Sequence, residues 1–123
     1  MSRRPLLLAL AAASLLLVPL PASAEPREVC GPHTAEDEVV RVFARGAGES
    51  ALLCGSRYYG FRRIDWRTVS LEAIARTLAS PEPPVYDERS NTWIHTGEVV
   101  VVLSAGDGQV VTARPVAAQA VPR

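Results

Sequence analysis

Short runs of hydrophobic residues, separated by polar turns, predict strands at the start of the folded part of the chain. Residues 38–45 are rich in valine and predict a strand or a short helix. The turn signal Gly46-Ala47-Gly48 follows, and the apolar run 51–54 predicts a second strand. This part of the sequence therefore favours two short elements joined by a tight turn.

The hydrophobic period changes over residues 68–80, where apolar side chains recur at helical spacing. Thr68 or Ser70 is a suitable N-cap, because a short hydroxyl side chain can accept a hydrogen bond from a free amide of the first turn. Prolines follow at positions 81, 83 and 84 and stop the helix. The pattern predicts one main helix.

Four extended runs occupy the rest of the chain: residues 85–86, 92–96, 98–104 and 109–114. A polar turn separates the first two runs, and Ala105-Gly106-Asp107-Gly108 is a hairpin signal before the last. We therefore predict a small single α+β domain over residues 25–115. Its short N-terminal strands and one main helix would pack on a C-terminal antiparallel meander, and residues 116–123 would form a flexible tail.

The first 24 residues have the three-part layout of a secretory signal peptide. Two arginines precede an apolar run of about 15 residues, which is shorter than the roughly 20 that a membrane-spanning helix needs. Ala22-Ser23-Ala24 is a small-x-small cleavage site. We expect cleavage after Ala24 and a protein that is secreted and has no membrane segment after cleavage.

The only two cysteines are Cys30 and Cys54, and an exported chain meets an oxidising compartment. We predict a disulfide between them, which would add stability that a domain of this size needs. The alternatives are a metal site and a catalytic cysteine. The two cysteines and two distant histidines lack zinc-finger spacing, so we expect neither a metal nor a cofactor.

The charge of the chain is balanced overall but uneven along its length. The 123 residues carry 13 basic side chains, all of them arginine, and 13 acidic ones, which excludes a globally basic nucleic-acid binder. Residues 51–67 nevertheless hold four arginines and one acid, between two acidic segments.

Four of the seven aromatic residues that follow the signal peptide also lie within residues 57–67. Guanidinium groups bind phosphate and aromatic rings stack on unpaired bases, so this composition suits a site for single-stranded RNA. The alternative is that the aromatics are core and the arginines are solvated. The candidate substrate-binding residues of the segment are Arg57, Tyr59, Arg62 and Trp66.

The strand candidates add a possible catalytic group. His95 lies in the run 92–96 and could act as a general base or acid. Thr112 and Arg114 share one face of the last strand, where they could hold a phosphate or stabilise a pentacovalent transition state. The alternative for each is an ordinary surface role.

Several short motifs follow one another along the chain: Leu52-Leu53-Cys54-Gly55, Tyr59-Gly60-Phe61-Arg62-Arg63-Ile64, the helix, the proline break, Val85-Tyr86, Val99-Val100-Val101-Val102 and Val111-Thr112-Ala113-Arg114-Pro115. Their order resembles that of a known group of domains, the small ribonuclease domains of bacterial polymorphic toxins (the barnase–EndoU–colicin–RelE-like class). In that group a histidine usually stands where this chain has Arg63, and an aromatic residue where it has Arg114.

The resemblance implies a metal-independent ribonuclease in which Arg62 contacts substrate and Thr112 contacts phosphate. Arg63 could stabilise charge there but cannot act as a base at neutral pH, so His95 would have to supply that role. Two other hypotheses stay open: a non-catalytic exported domain that binds a partner through its arginine and aromatic surface, and a disulfide-stapled protein without a site. The expected partners are single-stranded RNA or an immunity or inhibitor protein.

Overall fold

The computed structural model describes residues 29–117, so the proposed signal peptide and the tail beyond Ala117 lie outside the described residues. One helix, one short 3-10 helix and two antiparallel sheets make a small α+β domain, as predicted. In chain order the elements are β1 (Val39–Arg45), β2 (Gly48–Leu53), the 3-10 helix (Phe61–Arg63), α1 (Leu71–Ala79), β3 (Val85–Asp87), β4 (Thr92–Thr96), β5 (Val99–Ser104) and β6 (Val110–Pro115).

Strands β1 and β2 form a two-stranded hairpin. Its last pair is Arg45 with Gly48, so the connecting turn consists of Gly46 and Ala47, and Gly46 has a positive φ of 53°. The first run is therefore a strand, not a short helix. Strand β2 begins at Gly48, before the apolar run starts, because backbone pairing with β1 extends the strand into polar positions.

Helix α1 begins and ends where the sequence predicts. Of the two candidate caps, Ser70 is the one used, and its hydroxyl accepts a hydrogen bond from the amide of Ala73. The helix ends at Ala79, two residues before Pro81. Its buried face packs on β5 and β1 and centres on Ile74 and Leu78.

The four remaining strands form a meander in the order β3-β4-β5-β6. Strand β5 lies inside this sheet, and its alternate residues Val99, Val101 and Leu103 belong to the same hydrophobic core as α1 and the hairpin. Val100 and Val102 point to the opposite face. One face of the sheet is therefore covered by the helix, and the sheet has a second, distinct face.

The predicted disulfide is formed: Cys30 and Cys54 have their Cα atoms 5.6 Å apart, and Cys54 is fully buried. The bond ties the loop before β1 to the residue that follows β2. Two backbone hydrogen bonds support the same junction, from Cys54 to the carbonyl of Glu38 and from Gly55 to the carbonyl of Glu36. Within residues 29–117, no helix is long and apolar enough to cross a membrane.

Replacing both cysteines with serine should lower the free energy of unfolding by about 3 kcal/mol, because the unfolded chain regains the freedom of a loop of about 25 residues. Urea denaturation of the two proteins measures the difference. Wild-type protein unfolded in the presence of reductant should match the serine variant. A variant within about 0.5 kcal/mol of the oxidised wild type would show that the bond adds little.

Candidate functional site

The Arg62 side chain ties the backbone around the disulfide together. Its guanidinium donates through Nη2 to the carbonyls of Gly31 (2.6 Å) and Thr34 (2.7 Å), and through Nη1 to the carbonyl of Gly55. These three carbonyls come from the two loops that carry the cysteines. Arg62 therefore has a structural role, and its place as a substrate contact stays a prediction.

Trp66 and Tyr59 also have structural partners. The Trp66 indole stacks on Phe61 with ring centroids 4.8 Å apart, and its Nε1 donates to the Phe61 carbonyl. The Tyr59 hydroxyl donates to the Glu36 carboxylate, and desolvation together with that carboxylate raises the pKa of Tyr59. Much of the arginine and aromatic segment thus holds the N-terminal loop in place.

The rest of the segment is exposed. The Arg57 guanidinium lies over the Tyr58 ring, 4.9 Å from its centroid, and donates to the Tyr58 hydroxyl. Arg63 donates to the Tyr58 carbonyl. The ion pairs within residues 29–117 are Arg41–Glu72, Arg67–Asp65 and Arg76–Glu98, so neither Arg57 nor Arg63 has a carboxylate partner there.

The sheet separates the three candidate residues on its strands. His95 pairs with Val101, which pairs with Ala113, and directly paired side chains share a face. Thr112 lies in the next row, beside Val102 and Ile94, on the opposite face, and Arg114 shares that face with Thr112. The structure therefore does not bring His95 together with Thr112 or Arg114. Arg63, in the 3-10 helix, is not among the residues around His95.

His95 lines a cleft of about 640 Å³ on the helix-covered face of the sheet. The end of α1 and the residues after it form one wall, and β4 and β5 form the floor. Two turns close the cleft, the β1–β2 turn with Arg45 and the β5–β6 turn, residues 105–108. The volume is that of a typical small-ligand site. The residues that line the cleft come from distant parts of the sequence.

Arg45 is a member of this cleft that the sequence analysis missed. Its Nε donates to the hydroxyl of Ser50 in the adjacent strand, and the side chain forms no ion pair within the described part of the chain. The alternation of side chains along a strand could have predicted its position. Arg45 shares a face of β1 with the buried Phe43, so the Arg45 side chain lies on the inner face of the hairpin.

The cleft makes the imidazole of His95 a weaker base than a free histidine. Partial burial lowers the pKa of His95, and the nearby Arg45 guanidinium lowers it further. His95 is therefore neutral at neutral pH, with one ring nitrogen able to accept a proton. Neutral imidazole beside a cation can take a proton from a substrate whose negative charge the cation stabilises.

An aromatic platform lies along the same strand. Trp93 stands two residues before His95 on the same face, lines the cleft and is 40% exposed. It packs against Tyr86 with ring centroids 5.0 Å apart, and the Tyr86 hydroxyl donates to the Asn91 side chain. The Trp93 ring is thus braced from one side and accessible from the other.

Two carboxylates also line the cleft. Asp107 accepts a hydrogen bond from the Gln109 amide and so stabilises the β5–β6 turn, while Glu82 lies on the exposed proline-rich segment after α1. Neither carboxylate forms an ion pair with Arg45 or His95. The Arg45 guanidinium therefore has no carboxylate in direct contact, while the cleft as a whole is lined by one arginine and two carboxylates.

Comparisons with known proteins returned no family model, no curated protein and no solved structure that matches the chain. The resemblance to toxin ribonuclease domains therefore stays a prediction from short motifs.

The adjacent arginines 62 and 63 should respond very differently to the same substitution. Arg62→Ala leaves three carbonyls without their donor and should cost about 2–3 kcal/mol of unfolding free energy. Arg63→Ala removes an exposed side chain and should cost about 0.5 kcal/mol or less. Urea denaturation measures both. Equal losses for the two variants would contradict the structural role of Arg62.

Proposed function

We propose that the protein is an exported ribonuclease-like domain that cleaves single-stranded RNA in the cleft around His95. One observation carries the proposal: a neutral, half-buried histidine lines the same cleft as an arginine without a carboxylate partner and an accessible tryptophan. A general base and a cation that stabilises the pentacovalent phosphorus both promote metal-independent RNA cleavage, and a stacking platform positions the substrate base.

The chemistry is an internal transesterification. His95 takes the proton of a ribose 2′-hydroxyl, whose oxygen attacks the adjacent phosphorus. The phosphorus–O5′ bond then breaks, and the 5′-oxygen receives a proton from the imidazolium or from water. The products are a 2′,3′-cyclic phosphate and a 5′-hydroxyl, and the enzyme returns to its starting protonation state. The Arg45 guanidinium stabilises the extra negative charge of the pentacovalent phosphorus.

Trp93 accounts for the preference for single strands. A base can stack on an exposed ring only when it is free of a duplex, and such stacking tolerates any base. Side chains two residues apart on one strand face are separated by about 7 Å. A nucleotide can span that separation, with its base on Trp93 and its phosphate near His95.

The proposed secretion rests on the first 24 residues and on the disulfide. The observed Cys30–Cys54 bond fits a protein that reaches an oxidising compartment. The signal-peptide pattern of residues 1–24 would direct the chain there. If the domain is an active toxin of this kind, an inhibitor protein is its expected protein partner.

A second candidate is a non-catalytic binding domain, and one observation favours it. Arg57 and Arg63 flank the exposed Tyr58 without carboxylate partners, and they form a surface that can bind an anionic partner. On that hypothesis, changing Arg57 and Arg63 weakens binding while changing His95 has no effect.

His95→Gln should reduce cleavage of a single-stranded RNA by at least about 100-fold, the lower limit for removing a general base. The matched control is His33→Gln, because His33 is the only other histidine and is exposed outside the cleft. Gel analysis of a labelled oligoribonucleotide, with chelator present, measures both. Equal activity of the two variants, or intact RNA with the wild type, would refute the proposal.

Thr112→Val and Arg114→Ala test the same geometry from the other side of the sheet. Both residues lie on the face opposite to His95, so each variant should keep at least about half of the wild-type rate. A loss similar to that of His95→Gln would show that catalysis uses the other face.

The rate should rise with pH on the acidic side and be level through neutrality, because only the neutral form of His95 accepts a proton. Since burial and Arg45 lower the pKa of His95, the midpoint of this rise should lie below that of free histidine. Rates of the wild type between about pH 5 and pH 8 measure it. A midpoint above that of free histidine would contradict the assignment.

A further inference from the structure

The Arg45 guanidinium is fixed on two of its three nitrogens. Nε donates to the Ser50 hydroxyl, and Nη2 donates to the Glu49 carbonyl at 3.4 Å. Ser50 is only 1% exposed, so its hydroxyl is a buried polar group with the arginine as its partner. Such an arrangement removes most of the rotational freedom of a long side chain before any ligand arrives.

Two glycines leave space around this guanidinium. A Cβ atom on Gly108 would lie 2.7 Å from Nη2, and Gly108 has a positive φ of 75°. A Cβ atom on Gly48 would meet the guanidinium at 3.6–3.7 Å. The β5–β6 turn thus approaches the arginine closely because position 108 has no side chain.

The third nitrogen, Nη1, has no hydrogen-bond acceptor among residues 29–117 and no carboxylate within ion-pair distance. Three other arginines of the same region do have carboxylate partners, namely Arg41, Arg67 and Arg76. Arg45 therefore combines a fixed orientation, partial burial and an unused donor at the side of a cleft. These are the properties of an anion site that is organised in advance.

We propose that Arg45 is a phosphate-binding point of the cleft and that the buried Ser50 is its positioning residue. The ligand class is a phosphate monoester or diester of a nucleotide, because Trp93 offers a stacking surface in the same cleft. This inference rests on the proposed function only in placing the scissile phosphate there. Phosphate binding itself requires no cleavage.

The test is the dissociation constant of inorganic phosphate and of uridine 3′-monophosphate, measured by NMR titration of the labelled protein. Ser50→Ala should weaken binding of both by about tenfold, because the guanidinium loses its anchor. Arg45→Gln should abolish measurable binding of both. The matched control, Arg89→Gln, removes an equal charge at an exposed position outside the cleft and should leave both constants within about twofold of wild type.

Amide spectra of each variant establish that it is folded, and Arg45→Gln tests the site even if Ser50→Ala fails to fold. Unchanged binding in folded Ser50→Ala refutes the positioning role. Equal losses in Arg45→Gln and Arg89→Gln refute the site.

The two proposals fail separately. Phosphate binding that depends on Arg45 and Ser50, in a protein that leaves RNA intact, supports this site and refutes the ribonuclease. RNA cleavage by a protein whose phosphate binding does not depend on Arg45 supports the ribonuclease and refutes this site. In an active enzyme, Ser50→Ala should also raise KM and move the pH midpoint of His95 upward, because a displaced Arg45 guanidinium no longer lowers the pKa of His95. A loss of folded protein alone would lower kcat and leave both KM and the midpoint unchanged.

Discussion

The antiparallel pairing of β4 with β5 decides on which face of the meander each side chain of β4 lies. His95 opposite Val101 is placed on the helix-covered face, together with Trp93. A shift of one residue would exchange the faces and move both side chains away from Arg45. The register is fixed because Val101 is fully buried and belongs to the core that β5 shares with α1. The cleft is therefore a consequence of core packing.

The helix and strands of the fold could be predicted from the sequence because neighbouring residues specify where each of them begins and ends. Ser70 caps the helix, Pro81 follows its end, and alternation with glycine turns marks the strands. The start of β2 was misplaced, since Gly48 and Glu49 have little strand preference and enter the strand by pairing with β1.

The site was less readable, because it depends on tertiary proximity. Arg62 and Arg63 are adjacent arginines in the sequence. The Arg62 guanidinium donates hydrogen bonds to three backbone carbonyls, whereas the Arg63 side chain is exposed. His95 and Thr112 are on opposite faces only because of a register that involves a third strand. Arg45 could have been found from its parity with Phe43, but no motif surrounds it.

The arginines of residues 29–117 divide into groups with different roles, and the zero net charge of the chain does not reveal those roles. Some form ion pairs with carboxylates, and Arg62 donates hydrogen bonds to backbone carbonyls. Arg57 and Arg63 are exposed. Arg45 is half-buried near His95, and its guanidinium has no carboxylate partner in the described part of the chain. Glu82 and Asp107 line the same cleft, so the proposed site depends on the position of the unused Arg45 donor and not on an excess of positive charge.

The most direct test of the account uses a DNA oligonucleotide that contains a single ribonucleotide. The proposed chemistry requires a 2′-hydroxyl, so the wild-type protein should cut this strand once, on the 3′ side of the ribonucleotide, and leave a 2′,3′-cyclic phosphate. Mass spectrometry of the fragments identifies both the position and the product. An uncut strand, or cleavage at deoxyribonucleotides, would contradict the assignment of the cleft as a ribonuclease site.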